Sequence, residues 1–406
     1  MPGCPPQTRL PAWDYSFRDI TGDPAGQHDA LGVDLYLDST VSMSGFTSGA
    51  TSSLADLVRD LEGAAQTGWK QVSIRYLKFG TKVAESERSA FITGMSTPAF
   101  FRQKGLSATT SIDAVLAQSD PKRLSLIVTD LFQTAGDVNA VVTALKDYVV
   151  AKDVAVGILP VQSEFLGTVY DANVPPYEYR STSGEPSTYR AFYLLMLGDA
   201  HDMRRMVDVI GARPFIDRRT FLLLSPFVVK SQAAGIDKGS LSRNVVATTA
   251  RDLGPNESSL DLREGADATV TLRLAIETVD GAPPLNRERL EMAAFRKTPH
   301  GPAPTEDVKQ AGAITLDGAM AVRLPLSVHL DQAKGIYEYR IDLRNPTLNA
   351  FETPAWVAGL STTNPSPSFE PNKTLNLAPF VRGLIQAQTS VHQAPVARAF
   401  LRIRKR

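Results

Sequence analysis

Apolar runs of strand length alternate with stretches of helical period between Val33 and Phe227. Residues 33–38 (VDLYLD) and 124–130 (LSLIVTD) are near-continuous apolar runs that end in aspartate, the pattern of strands buried on both faces. Residues 154–161 and 191–197 repeat it, and 72–79 alternates like a half-exposed strand. Leu54, Leu57, Val58 and Leu61 share one stripe and predict a helix over 54–65. Val141, Val142, Leu145 and Val149 do the same for 138–150, a further helix starts at Ile112, and another spans about 199–210. Strands and helices in this alternation predict an α/β domain over residues 30–227. Its sheet is expected to be doubly wound and mostly parallel, with helices on both faces.

Beyond Val228 the pattern shortens. Residues 269–276 and 336–343 alternate strictly, 319–324 and 399–403 do so more briefly, and Pro, Gly, Asn and Thr fill the intervals. This predicts a β-rich, sandwich-like domain over 228–406, interrupted by one helix near 377–387. Residues 1–29 read as an N-terminal tail. The first domain is expected to own a core large enough to fold alone.

Composition narrows the function classes. Lys plus Arg and Asp plus Glu are 43 each, so overall charge gives no argument for nucleic acid or an anionic membrane. No apolar run reaches the roughly 18 residues of a membrane-spanning helix. The single cysteine, Cys4, excludes an internal disulfide and a Cys-rich zinc site. Gly3-Cys4 before a Pro-rich stretch is similar to the mature start of a bacterial lipoprotein, which would make Cys4 a lipid anchor and the protein a cell-envelope one. Otherwise Cys4 is a free thiol on the tail and the chain is cytoplasmic.

The chemistry gathers at predicted strand ends, where open α/β sheets bind ligands. The first strand runs into Asp38-Ser39-Thr40-Val41-Ser42-Met43, and the second buried strand into Thr129-Asp130-Leu131. Between them lies a loop with Thr109 and Thr110, after which Ile112, Val115 and Leu116 take helical spacing. Thr110 is the natural last loop residue, with Asp113 in capping-box position, and Thr109 is the alternative. Asp38 and Asp130 can balance a doubly charged cation. Thr40, Ser42 and Thr110 can add neutral hydroxyl oxygens, leaving one position for an outside oxygen. Such an all-oxygen set suits Mg2+, or Ca2+ or Mn2+, and not a soft metal. Singly, each residue has a plainer reading as a turn former or helix cap.

Together, these three loops resemble the metal-ion-dependent adhesion site of von Willebrand factor A domains, whose pattern is Asp-x-Ser-x-Ser, then a Thr, then an Asp. Here Thr40 replaces the first Ser, Val41 stands where many members have Gly, and Met43 matches the Met common after the motif. The resemblance covers about 190 residues. It implies a Rossmann-like A domain in which Asp38, Thr40, Ser42, Thr110 and Asp130 hold a divalent cation that engages an acidic side chain of a protein partner.

Other motifs fall away. Residues 63–70 (GAAQTGWK) miss a P-loop by one position and end a helix instead of opening one. Thr40 stands where haloacid dehalogenase phosphatases carry a second Asp, and no Gly-x-Ser-x-Gly elbow occurs. The long segment 162–190 follows the 154–161 strand and contains Glu164, the one nameable general base near the site. The expectation is a metal-dependent interaction protein. The alternatives are a hydrolase using the same metal with Glu164 as base, and a metal-free scaffold.

Overall fold

The computed structural model describes residues 29–47, 53–131, 138–170, 175–225, 229–248, 257–263, 265–284, 290–317, 321–344, 352–363, 370–391 and 395–406. The tail with Cys4 lies outside them, apart from Asp29. The chain is a mixed α/β protein with more strand than helix.

Its first half runs β1 (Ala30–Asp38), α1 (Ser53–Gly68), β2 (Gln71–Phe79), β3 (Val83–Ser86), α2 (Arg88–Gly94), α3 (Ile112–Leu116), β4 (Leu124–Thr129), α4 (Val138–Lys152) and β5 (Ala155–Ser163). There follow β6 (Leu166–Val169), β7 (Tyr177–Arg180), β8 (Arg190–Gly198), α5 (Ala200–Ile210) and β9 (Leu222–Leu224). Seven of these strands form one sheet in the order β3-β2-β1-β4-β8-β5-β9.

The sheet is parallel only at β2-β1-β4. β8 enters between β4 and β5, antiparallel to both, and the edge strands β3 and β9 are antiparallel to their neighbours. The expectation of a mostly parallel sheet is therefore met at the centre alone. The reason lies in residues 164–189. Parallel neighbours need a crossover to the opposite end of the sheet. Here the β6–β7 hairpin returns the chain to the end where β5 stopped, so β8 must run back alongside it.

Alternation decides what each face covers. In β1, Leu31, Val33, Leu35 and Leu37 join the apolar cluster beneath α1 and α5, while Tyr36 joins the one beneath α3 and α4. Asp34 and Asp38 therefore share the Tyr36 face.

The second half contributes β10 (Val229–Asp237), β11 (Val245–Thr248), β12 (Glu257–Leu262), β13 (Asp267–Thr278), β14 (Glu291–Thr298), β15 (Gly301–Pro304), β16 (Val308–Gln310), β17 (Thr315–Asp317), β18 (Ala321–His329) and β19 (Gly335–Arg344). It ends with α6 (Ala355–Leu360), β20 (Ser361–Thr362), β21 (Thr374–Leu375), α7 (Leu377–Val391) and β22 (Ala397–Lys405). One sheet has the order β10-β13-β18-β16, with β17 also on β18, and another the order β11-β12-β22-β19-β14-β15. A single apolar cluster draws on both, with Leu272 and Leu324 from one sheet and Ile341 and Leu401 from the other.

The predicted helix at 377–387 forms as α7, and it packs on α4 of the first half. Val357, Leu377, Phe380, Val381, Leu384 and Ile385 are buried in the same cluster as Leu145, Ile158 and Tyr193. Gly383 permits the close approach, since a Cβ there would lie 3.1 Å from Val142 Cγ1. Among the described residues no helix is long and apolar enough to cross a membrane.

Candidate metal centre at the strand ends

β1 places two aspartates, Asp34 and Asp38, on one face, and both are fully buried. Asp34 accepts from Arg75 Nε at 2.8 Å and from Arg123 Nε at 2.6 Å, so its charge is paired twice. Asp38 has no Lys, Arg or His within ion-pair distance among the described residues. It is held by neutral donors alone, and burial pushes its carboxyl pKa upward against the hydrogen bonds that lower it.

Those donors fill the carboxylate. Oδ1 accepts from the Thr40 amide at 3.0 Å and the Thr40 hydroxyl at 2.7 Å. Oδ2 accepts from the hydroxyls of Thr110 at 2.9 Å and Thr129 at 2.8 Å. A carboxylate offers about four lone-pair sites, so Asp38 is saturated. Each hydroxyl has one proton, and those of Thr40 and Thr110 are spent on Asp38. Their oxygens nevertheless stand 3.3 Å apart, and Ser42 Oγ lies 3.1 Å from Thr40 Oγ1. Ser42 can donate to Thr40, but nothing remains to bridge Thr40 and Thr110. With both protons directed at Asp38, no hydroxyl proton lies between the Thr40 and Thr110 oxygens.

The backbone that supports this cluster follows from a few residues. The Ser39 amide and hydroxyl both donate to the Phe79 carbonyl, at 2.8 and 2.9 Å, and so tie the first loop to the end of β2. The next residue, Gly80, seats the second loop. A Cβ there would fall 2.0 Å from the Leu106 carbonyl oxygen, so only glycine lets the two backbones meet. Across that contact Ser111 N donates to Gly80 O at 3.0 Å and Thr81 N to Leu106 O at 2.9 Å. The cap of α3 is Ser111, whose side chain accepts from Ala114 N at 3.3 Å. The cap thus sits one residue beyond the position expected from the spacing, and the Thr110 hydroxyl is left for Asp38.

Asp130 stands at the same end of the sheet, directly after β4 and half-buried, while Thr129 of that strand is the residue that bonds Asp38. Of the five expected residues, Asp38, Thr40, Ser42 and Thr110 are joined by hydrogen bonds, and Asp130 is their neighbour along the chain of loops. Thr129 was not singled out from the sequence, because inside an apolar run a Thr reads as an ordinary strand residue. The structure brings it to Asp38 because Leu37 pairs with Val128, and the next residue of each strand is Asp38 and Thr129. Leu131 adopts φ 60°, a left-handed conformation that costs a side-chain-bearing residue roughly 1–3 kcal/mol, and its amide donates to Thr129 Oγ1 at 3.2 Å. Among the described residues no group of three or more His, Cys, Asp or Glu side chains converges on a point, so hydroxyls dominate this centre.

The 162–190 segment braces the first loop. Phe165 packs edge-on against Phe46 at 4.9 Å, within the 3-10 turn Val41–Thr47 that carries Ser42. Gly45 is required beneath that ring, because a Cβ would lie 2.4 Å from it. Glu164 Oε1 accepts from Ser183 Oγ at 2.8 Å and from the Tyr189 hydroxyl at 3.2 Å, both within its own segment.

No family model matches the chain, and no curated protein matches it significantly.

Proposed function

We propose that the chain is a metal-dependent interaction protein whose first half is a von Willebrand factor A-like layer and whose second half is a sandwich-like module. The observation that carries this reading is the proton shortage around Asp38. A buried carboxylate without a cationic partner, ringed by hydroxyl oxygens with unshared lone pairs, fits a hard divalent cation such as Mg2+ and suits no apolar or soft ligand. Thr40, Ser42, Thr110 and Asp130 would hold the ion. Asp38, with all its lone pairs used, would aim the hydroxyls and supply charge from behind them. When bound, the ion supplies an electrophilic position for an Asp or Glu carboxylate of a protein partner. Hydrolysis finds less support, since Glu164, its one nameable base, is engaged by Ser183 and Tyr189.

The test is thermal. A ligand of the folded state alone stabilises it by about 2.7 kcal/mol at a hundredfold excess over Kd. Mg2+ is expected to raise the melting temperature of the full chain, and Asp130→Ala to remove most of that rise. An equal rise in both proteins would place the ion elsewhere and defeat the reading.

A further inference from the structure

The first four residues of β8 run beside the end of β4, with Phe192 packed 5.2 Å from Phe46 of the first loop, and a distant segment of the chain pins them. Tyr193 is paired in register with Thr129, the residue that bonds Asp38 and precedes Asp130. Its hydroxyl is fully buried and shares a 2.7 Å hydrogen bond with Thr374 Oγ1, 181 positions along the chain. Arg190 donates to the Pro371 carbonyl, and its guanidinium lies 5.5 Å from the Phe165 ring that packs on Phe46 of the first loop. Asn372 Nδ2 donates to Ser187 O at 2.8 Å. Residues 371–374 therefore touch β8 and its approach at three places. From there one route leads to the third loop through Tyr193, and another to the first loop through Arg190 and Phe165. Leu131, after Asp130, also packs on the cluster that this part of the chain completes with Val357, Leu377 and Phe380.

We infer that the 371–375 segment is a structural part of the ion site, with Thr374 and Tyr193 acting as positioning residues that hold the strand end carrying Thr129 and Asp130. The inference presupposes the ion site proposed above and adds to it that the site is built by both halves of the chain. It follows that ion binding and the seating of 371–375 favour each other to the same degree, because linkage between two equilibria is reciprocal.

The experiment uses the full chain and Mg2+ alone as probe. Calorimetric titration of wild type, Thr374→Val and Thr374→Ser gives Kd, and amide hydrogen exchange follows 371–376 with and without Mg2+. Loss of one hydrogen bond between buried groups is worth on the order of a three- to tenfold change in affinity. Thr374→Val is expected to weaken Mg2+ by that factor, Thr374→Ser to restore wild-type Kd, and Mg2+ to slow exchange at 371–376 in the wild type. Tyr193→Phe removes the same bond from the other side and serves if Thr374→Val does not fold. Unchanged Kd in both variants, even with a lower melting temperature, would reduce the contact to packing and overturn the inference. Absence of any Mg2+ binding by the wild type would instead remove the ion site itself.

Discussion

Asp34 and Asp38 lie four residues apart on one face of one strand, yet their surroundings differ. Asp34 neutralises Arg75 and Arg123, and removing it would leave two guanidinium groups unpaired. Asp38 has only neutral hydrogen-bond donors. Its carboxyl titrates above the ordinary value of 3.8 because burial disfavours the anion. The unfolded chain loses this proton at lower pH than the folded one, so ionised Asp38 costs stability. That cost is absent below about 3.8, grows as pH rises, and is complete above the folded value. In a chelator at neutral pH, Asp38→Asn is therefore expected to melt about 2 °C or more above wild type, and Asp34→Asn below it. The Asp38→Asn advantage should shrink on acidification and reverse when Mg2+ is added. A lower melting temperature for Asp38→Asn in the chelator would show that its hydrogen bonds outweigh its burial. Such a contrast between two aspartates was invisible in the sequence, where both sit in the same apolar run. What separates them is which arginines the neighbouring strands bring near.

At the scale of elements, periodicity located the strands 30–38, 124–129, 155–163 and 190–198 and the helices 53–68, 138–152 and 377–391 to within a few residues, because each buries a continuous stripe or run. Direction and destination were not legible. An apolar run reads the same in either direction, so β8 gave no sign that it lies antiparallel between β4 and β5. The stripe on α7 announces a face to be covered without saying that α4 covers it. Short strands such as β6 and β7 lack an apolar stripe, so the sequence there has the pattern of one long loop. Two loops of the proposed ion site are legible because their chemistry stands at the ends of readable strands, and the Thr110 loop because helical spacing starts just after it, whereas Thr129, inside a strand, is not. One element-level contact has a pH signature. His329, at the end of β18, meets Asp267 of β13 through Nδ1 at 2.6 Å and Asp331 through Nε2 at 2.9 Å. Both ring nitrogens face acceptors, which requires the imidazolium, and these partners raise its pKa above 6.5. The contribution is stabilising, complete below about 6.5 and lost as pH rises through the folded value. The melting temperature of wild type relative to His329→Gln should accordingly narrow on going from pH 6 to pH 9 (about three units). A constant difference would mean that the imidazole acts by packing alone.

On the scale of the whole molecule, the chain crosses from the α/β layer to the β-rich half, comes back to lay α7 on α4 with α6 against α7, and leaves again for β22. Burial of one large apolar side chain is worth about 1.5–3 kcal/mol. Val357, Leu377, Phe380, Val381, Leu384 and Ile385 together thus contribute on the order of the 5–15 kcal/mol that separates folded from unfolded domains. A fragment of residues 30–227 lacks them and is expected to bind hydrophobic dyes and to melt without a cooperative transition. Fusing 352–391 to it should restore cooperativity, and a sharply melting fragment without the fusion would show that the first half closes its own core. The position of β22 carries a consequence for synthesis. This strand lies in the interior of its sheet, parallel to β12 and antiparallel to β19, with Glu257 opposite Phe400 and Tyr339 opposite Leu401. While the ribosome is still adding residues 397–405, β12 and β19 have no strand between them. Nascent chains stalled before that point would present two open sheet edges, which is when this protein would most need a chaperone.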